Sequence, residues 1–123
     1  MRYMTIVKAA EPFRMPPPAL LEAIGKLADE ATKAGVFVET AGLAPTSEGA
    51  RVRLSSGKIS VTDGPFTEAK EVVGGYAIFD VRSKEEVLDW TSRFMELHRK
   101  HWPDWEGETE VRRMTVMGPP PHA

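Results

Sequence analysis

The sequence lacks several features that would place it in a specialised class of protein. None of its 123 residues is cysteine, which excludes a disulfide framework and thiolate chemistry. No run approaches the roughly 20 apolar residues of a membrane-spanning helix, and the N-terminus lacks the apolar segment of a signal peptide. The net charge of −2 argues against a basic nucleic-acid-binding surface. We therefore expect one cytoplasmic domain that binds neither membrane nor nucleic acid directly.

Motifs for common cofactors are also missing. The chain has neither a Gly-x-Gly-x-x-Gly segment between a strand and a helix nor a P-loop, so we expect no nucleotide cofactor. His98 and His101 are spaced for a metal site, with Asp104 as a candidate third ligand. Cations near a helix C-terminus are favourable without any metal, and we expect none here. The segment Trp102 to Trp105 is predicted to be a loop that packs on the fold, and its role stays open.

The apolar pattern predicts the order strand, helix, strand, hairpin, strand, helix, strand. The predicted bounds are 2–9, 19–34, 36–41, 50–54 with 58–62, 76–81, a helix that begins after Ser83, and 110–117. Ser83 and Glu86 form a capping box for that second helix. Without the hairpin, the order is the βαββαβ pattern of a ferredoxin-like α+β fold. We expect residues 1–117 to form the domain and 118–123 a Pro-rich tail.

A sheet of this kind carries helices on one face only, so its other face needs a cover. The predicted strands mix polar and apolar side chains, as at Tyr3, Glu39, Arg53 and Arg112. Mixed polarity suits either a homodimer with a cavity between the sheets or a solvated face. We expect the homodimer, because Val38, Val52 and Ile78 would otherwise be exposed.

The densest chemistry lies in the segment Thr62 to Glu71, with the sequence TDGPFTEAKE. An Asp side chain can close a turn by bonding the backbone, Gly64 permits unusual dihedrals, and Pro65 disfavours helix before it. One interpretation is a rigid turn after the hairpin. The other is that this turn aims Asp63 and Phe66 into a ligand cavity, and the two are compatible.

The charged residues of this segment, and two arginines in the predicted strands, each allow two interpretations. One interpretation is a solvated cluster of Glu68, Lys70 and Glu71. The other is that Glu68 and Lys70, a carboxylate and an ammonium, line the cavity together. In a desolvated pocket such a pair can be tuned for proton transfer. Arg53 and Arg112 are either partners of nearby carboxylates, at Glu39, Asp63 or Glu110, or a fork for a ligand anion.

The TDGPFTEAKE segment and the following Gly74-Gly75-Tyr76 closely resemble the signature of the DGPF proteins, which belong to the YCII-related superfamily. Shorter matches run from Arg2-Tyr3-Met4 to Glu110-Val111-Arg112, so the resemblance covers roughly residues 1–117. It implies a ferredoxin-like fold that pairs into a dimeric α/β barrel. It also implies a link to extracytoplasmic-function sigma factors, which are encoded near or fused to some DGPF proteins. The superfamily includes members with a His–Asp pair and a chlorinated-aromatic dehydrochlorinase, but residues 19–34 contain no histidine, so that chemistry does not carry over.

The favoured hypothesis is a homodimeric small-molecule-binding or regulatory accessory protein, with a cleft between the DGPF loop and the open sheet face. Asp63 and Glu68 are its candidate catalytic residues, and the candidate ligand-binding residues, for a small organic anion, are Tyr3, Arg53, Phe66, Lys70 and Arg112. One alternative is a small isomerase, lyase or monooxygenase-like enzyme acting on an organic acid or aromatic. Another is a partner of a sigma factor. The sequence names neither ligand nor reaction.

Overall fold

The protein is a mixed α+β structure with two helices and six strands in the part of the chain that can be described. A computed structural model describes residues 1–115, and the predicted tail at 118–123 lies outside that range. The elements are β1 (Arg2–Ala9), α1 (Pro18–Lys33), β2 (Phe37–Gly42), β3 (Ala50–Ser55), β4 (Lys58–Asp63), β5 (Val72–Asp80), α2 (Lys84–His101) and β6 (Glu108–Arg113). A single 3-10 turn at Thr46–Glu48 precedes β3. None of these helices is long and apolar enough to cross a membrane.

Four strands form the main antiparallel sheet, in the order β2-β5-β1-β6. This order is compatible with the predicted ferredoxin-like unit. Both helices lie on one face, since Ala31 of α1 and Val87 of α2 pack in one cluster with Tyr3 and Phe79. The strands β3 and β4 form a separate two-stranded sheet.

The register of β1 and β5 assigns side chains to the two faces of the sheet. Tyr3 pairs with Phe79 on the helix side, and the next residues along each strand point the other way. Met4 and Ile78, which also pair, therefore lie on the helix-free face. Ile78 is only 8% exposed in a single chain. The expectation that Ile78 would be uncovered without a partner is therefore wrong.

The hairpin of β3 and β4 carries the largest exposed apolar surface of the fold. Its turn uses Ser56 and Gly57, both with positive φ, as two-residue hairpins favour. Cross-strand pairing places four apolar residues on one face, and their exposures are 71% for Val52, 72% for Leu54, 74% for Ile59 and 67% for Val61. The hairpin therefore leaves one apolar face uncovered.

Two strands begin more than one residue before their predicted starts. β5 begins at Val72 instead of 76, because Gly75 pairs with both Val7 of β1 and Gly42 of β2. Neighbours on both sides outweigh the low strand propensity of glycine. β6 begins at Glu108 instead of 110, where it pairs with Lys8. The predicted end of that strand, at 116 and 117, lies outside the described residues.

The start of α2 follows the capping box predicted from Ser83 and Glu86. The Ser83 hydroxyl accepts a hydrogen bond of 3.1 Å from the backbone N–H of Glu86. The Glu86 carboxylate reaches back and accepts from the backbone N–H of Arg82 at 2.9 Å. Two backbone donors at the helix start are therefore satisfied.

Candidate ligand-binding site

The segment from Thr62 to Glu71, called the DGPF segment below, packs against the 3-10 turn that precedes the hairpin. The backbone N–H of Gly64 donates to the carbonyl oxygen of Gly49 at 2.9 Å. A Cβ atom at Gly64 would lie 1.6 Å from the carbonyl oxygen of Thr46, so only glycine fits there. The backbone N–H of Phe66 donates to the Thr46 hydroxyl oxygen at 3.1 Å.

Glu11 completes this arrangement from the end of β1. Its carboxylate accepts from the backbone N–H of Thr46 at 2.9 Å and from the Thr46 hydroxyl. These two hydrogen bonds lower the pKa of Glu11. The segment is thus tied to the main sheet, as the rigid-turn interpretation requires, and Glu11 was absent from the residues predicted by sequence.

Arg51 organises the charged part of the segment. Its guanidinium carbon lies 3.9 Å from the centre of the Phe66 ring, and it forms an ion pair with Glu68. The hydrogen bond from Arg51 is the main cause of a lowered pKa at Glu68. A lowered pKa makes this carboxylate a weaker base, the opposite of the tuning that a catalytic base requires.

The remaining predicted residues of this region lie at the surface. Asp63 is the exposed last residue of β4, opposite Ala50, and Lys70 is exposed in the following loop. Arg53 shares a strand face with Arg51, and its charge contributes the smallest part of the lowered pKa at Glu68. The structure therefore groups Phe66 and Glu68 around Arg51, with Arg53 beside them.

Tyr3 and Arg112 lie elsewhere, on opposite faces of the main sheet. Tyr3 is 7% exposed in the core on the helix side. Arg112 pairs with Met4 on the helix-free face and donates to the Glu110 carboxylate at 3.0 Å. Glu110 also accepts from Lys8 at 2.8 Å. Arg112 thus forms an ion pair with Glu110, which is one of the two interpretations that the sequence allowed for this arginine.

A large apolar cavity lies between the main sheet and the two helices. Its volume is about 630 Å³, within the range of about 300–1,000 Å³ of small-molecule sites. The residues that line it include Thr5, Val7, Ala77 and Phe79 from the sheet, Ile24, Leu27 and Ala28 from α1, Thr91, Phe94 and His98 from α2, and Phe13, Arg14, Trp102, Trp105 and Glu106 from the flanking segments. The core cluster around Tyr3 and Val87 lies in the same layer and shares Ala31 and Phe79 with the cavity lining.

Small side chains leave this space open. The part of the lining formed by β5 contains Gly74, Gly75 and Ala77, and α1 contributes Ala28. None of these side chains extends beyond a methyl group. The aromatic ring of Phe13, from the segment between β1 and α1, packs over Gly74. The lining thus combines small aliphatic side chains with a group of aromatic ones, and the part lined by Phe94, Trp102 and Trp105 is called the aromatic end.

His98 stands at the aromatic end of the cavity. It is 8% exposed, and its ring centroid lies 4.6 Å from the rings of both Phe94 and Trp105. Its Nδ1 lies 3.0 Å from the carbonyl oxygen of Phe94. Burial lowers the pKa of His98, although the Phe94 hydrogen bond acts in the opposite direction. The imidazole is thus held neutral and oriented.

The Trp102–Trp105 segment, predicted as a packing loop, closes this end. Trp102 is 9% exposed and stacks on Trp105 with 6.1 Å between ring centroids. The Arg14 guanidinium carbon lies 5.1 Å from the Trp102 ring centre. A Cβ atom at Gly107 would lie 2.3 Å from the Trp105 ring, so this glycine allows the indole to lie against the chain.

Comparison with known proteins assigns the chain to a family. The model of the YCII-related domain matches residues 1–97. The chain belongs to the YCII-related family. The match includes the DGPF segment, the two central strands of the main sheet, β1 and β5, and most of α2. Assignment to the DGPF group within this family stays a prediction.

One curated relative is an uncharacterised protein, R00369, of Rhizobium meliloti (strain 1021). It is 40% identical over 87 residues, which make up 71% of this chain and 66% of that protein. The chain thus spans just under two thirds of the relative's length. The relative carries no activity, ligand or partner in its name.

The sequence did not predict the cavity of this YCII-related domain. Its lining comes from many parts of the chain between Thr5 and Thr109, and of these only Gly74-Gly75-Tyr76 belongs to a motif that the sequence analysis identified. The usable signal was the aromatic spacing Phe94, His98, Trp102 and Trp105, which places Phe94 and Trp105 against His98 and Trp102 against Trp105. The sequence offers His98 as a metal ligand or as a cation near the helix C-terminus, not as part of a cavity wall. No group of three metal-binding side chains occurs within residues 1–115.

Proposed function

We propose that this YCII-related protein is a homodimer that binds a small, largely apolar molecule in the cavity between its sheet and its helices. The observation that carries the proposal is a space of about 630 Å³ with an apolar lining and one oriented, buried imidazole. Apolar clefts with a few convergent polar groups are the usual form of small-molecule sites. The sequence had favoured a cleft on the helix-free face, and the geometry favours the helix side.

The homodimer is supported by the uncovered face of the hairpin. An isolated two-stranded hairpin is marginally stable in water. Val52, Leu54, Ile59 and Val61 form a contiguous apolar patch on this hairpin, with exposures between 67% and 74%. A second copy that covers this patch removes its contact with water and gives both hairpins a packing surface.

An NMR titration with small aromatic and aliphatic fragments tests the binding site. We expect shifts to cluster at residues that line the cavity, such as Thr5, Ala28 and Phe94. Ala28→Phe fills the cavity and should abolish them. Asp29→Phe is the matched control, because this neighbouring side chain is exposed and outside the lining.

Two outcomes would contradict the proposal. Unchanged binding by Ala28→Phe would place the ligand elsewhere. Shifts that cluster at Asp63, Phe66, Glu68 and Lys70, and that vanish in Asp63→Asn, would favour the site predicted from the sequence. The alternatives of an acid/base enzyme and of a sigma-factor partner stay predictions.

A further inference from the structure

His98 is the one titratable side chain buried in the cavity wall. Among the residues that line the cavity, Arg14 and Glu106 are the other charged ones. Arg14 is paired with Asp104 at 2.9 Å, and Glu106 is exposed. His98 is 8% exposed, so its imidazole is the ionisable group that a ligand inside the cavity meets away from solvent.

The hydrogen bond to Phe94 determines which ring nitrogen of His98 remains available. A carbonyl oxygen only accepts, so the bond of 3.0 Å requires the proton to be on Nδ1. In the neutral ring, Nε2 then carries a lone pair and can only accept. Within residues 1–115, no hydrogen bond is made by Nε2, and no fully buried side-chain nitrogen lacks a partner. Nε2 is therefore not fully buried, and the cavity that His98 lines is the space from which a ligand would reach it.

The charged groups and the threonine hydroxyls of the lining do not offer what a ligand anion needs. The hydroxyls of Thr5, Thr40 and Thr91 each donate to a backbone carbonyl oxygen already. The nearest cation, Arg14, is at the edge of the cavity with its own carboxylate partner. A carboxylate inside would face the His98 lone pair without a compensating charge, which is costly. A neutral ligand with a proton to donate fits these groups.

We propose that the cavity selects neutral aromatic molecules with one N–H or O–H group, which donates to Nε2 of His98 while the ring packs among Phe94, Trp102 and Trp105. Phe94 and Trp105 flank His98 with 4.6 Å between ring centroids, and Trp102 stacks on Trp105. They supply apolar surface and edge or face contacts to a planar ligand. The proposal rests on the cavity being the binding site. It names a ligand class different from the organic anion predicted by the sequence.

Indole and 1-methylindole are a matched pair of probes, because the methyl group removes the N–H donor and keeps the ring. We expect the full-length protein to bind indole about 3- to 10-fold more tightly, the range of one net hydrogen bond. His98→Phe keeps a ring and removes the acceptor, and its preference should fall to about 1. His98→Gln retains an acceptor and should keep a preference for indole. His101→Gln is the control outside the lining.

A second readout needs no variant, so it holds even if His98→Phe does not fold. The ¹⁵N resonance of His98 Nε2 in wild-type protein should shift upfield on addition of indole and stay in place with 1-methylindole. Equal affinity for the two probes, with both bound in the cavity, would overturn the donor selectivity and leave the binding site intact. Failure of both probes to bind the cavity would overturn this inference together with the proposed function. Preference for indole that persists in His98→Phe would assign the selectivity to another group.

Discussion

The carboxylate of Glu11 accepts hydrogen bonds from both the backbone N–H and the hydroxyl of Thr46. Glu11 follows the end of β1, and Thr46 in turn accepts from the backbone N–H of Phe66. The Glu11–Thr46 pair therefore connects the end of β1 to the DGPF segment. Within residues 1–115, the DGPF segment forms no strand pairing with the main sheet.

This connection should depend on pH. The Thr46 hydrogen bonds lower the pKa of Glu11 from 4.5. Stability from this group is therefore present above the unfolded-state pKa and is lost as the pH falls through the folded-state pKa. Glu11→Gln should flatten the acid limb of a stability curve measured by urea unfolding between neutral pH and pH of about 3. Glu71→Gln, at an exposed position of the same region, is the control, and an identical acid limb in Glu11→Gln would contradict the expectation.

Gly64→Ala should disrupt the DGPF segment. The new methyl group would lie 1.6 Å from the carbonyl oxygen of Thr46, a backbone atom that cannot rotate away. We expect the free energy of unfolding to fall by about 1–3 kcal/mol, as for other overpacked sites. Gly25→Ala is the matched control, because nothing lies within 4 Å of its Cβ position in α1. It should be stabilising by about 1 kcal/mol, the helix propensity difference. Equal stability of Gly64→Ala and wild type would exclude the close approach.

His98 should titrate below its ordinary value of 6.5, because burial lowers the pKa of this imidazole. The unfolded chain then binds the proton first as the pH falls, so stability declines below about pH 6.5 and is greatest above it. An NMR titration of the His98 ring protons measures the midpoint directly. His98→Phe should remove this part of the pH dependence and His101→Gln should not. A midpoint at or above 6.5 would contradict the buried, neutral imidazole.

The hairpin face should control self-association. Val61 and Ser60 are neighbours in β4 whose side chains point to opposite faces of the hairpin, Val61 to the apolar one. Val61→Lys should therefore weaken the dimer in sedimentation equilibrium, and Ser60→Lys should leave it unchanged. Wild-type protein that stays monomeric over the micromolar range would remove the basis for the dimer.

The sequence predicts much of the fold because its signals are local. The Ser83 and Glu86 cap, the Ser56-Gly57 turn and the apolar periodicity of α1 each depend on residues close together in the chain. The Asp-Gly-Pro turn was readable for the same reason. Its partner Glu11 was not, because it lies 35 residues before Thr46 in sequence. The sequence predicted Arg53 at the DGPF segment, but it is Arg51 that contacts Phe66 and Glu68. The choice between these two arginines depends on how Phe66 packs. The cavity depends on small residues from different layers, such as Ala28 of α1 and Ala77 of β5, and no local sequence pattern predicts that combination.

A crystal of the full-length protein under xenon pressure tests the central claim most directly, since xenon enters apolar cavities without any specific polar contact. We expect xenon between the main sheet and the two helices, in contact with Ala28 and Phe94 and absent from the same space in Ala28→Phe. Helices that lie directly on the sheet, with no space and no xenon between Ala28 and Ala77, would contradict the account.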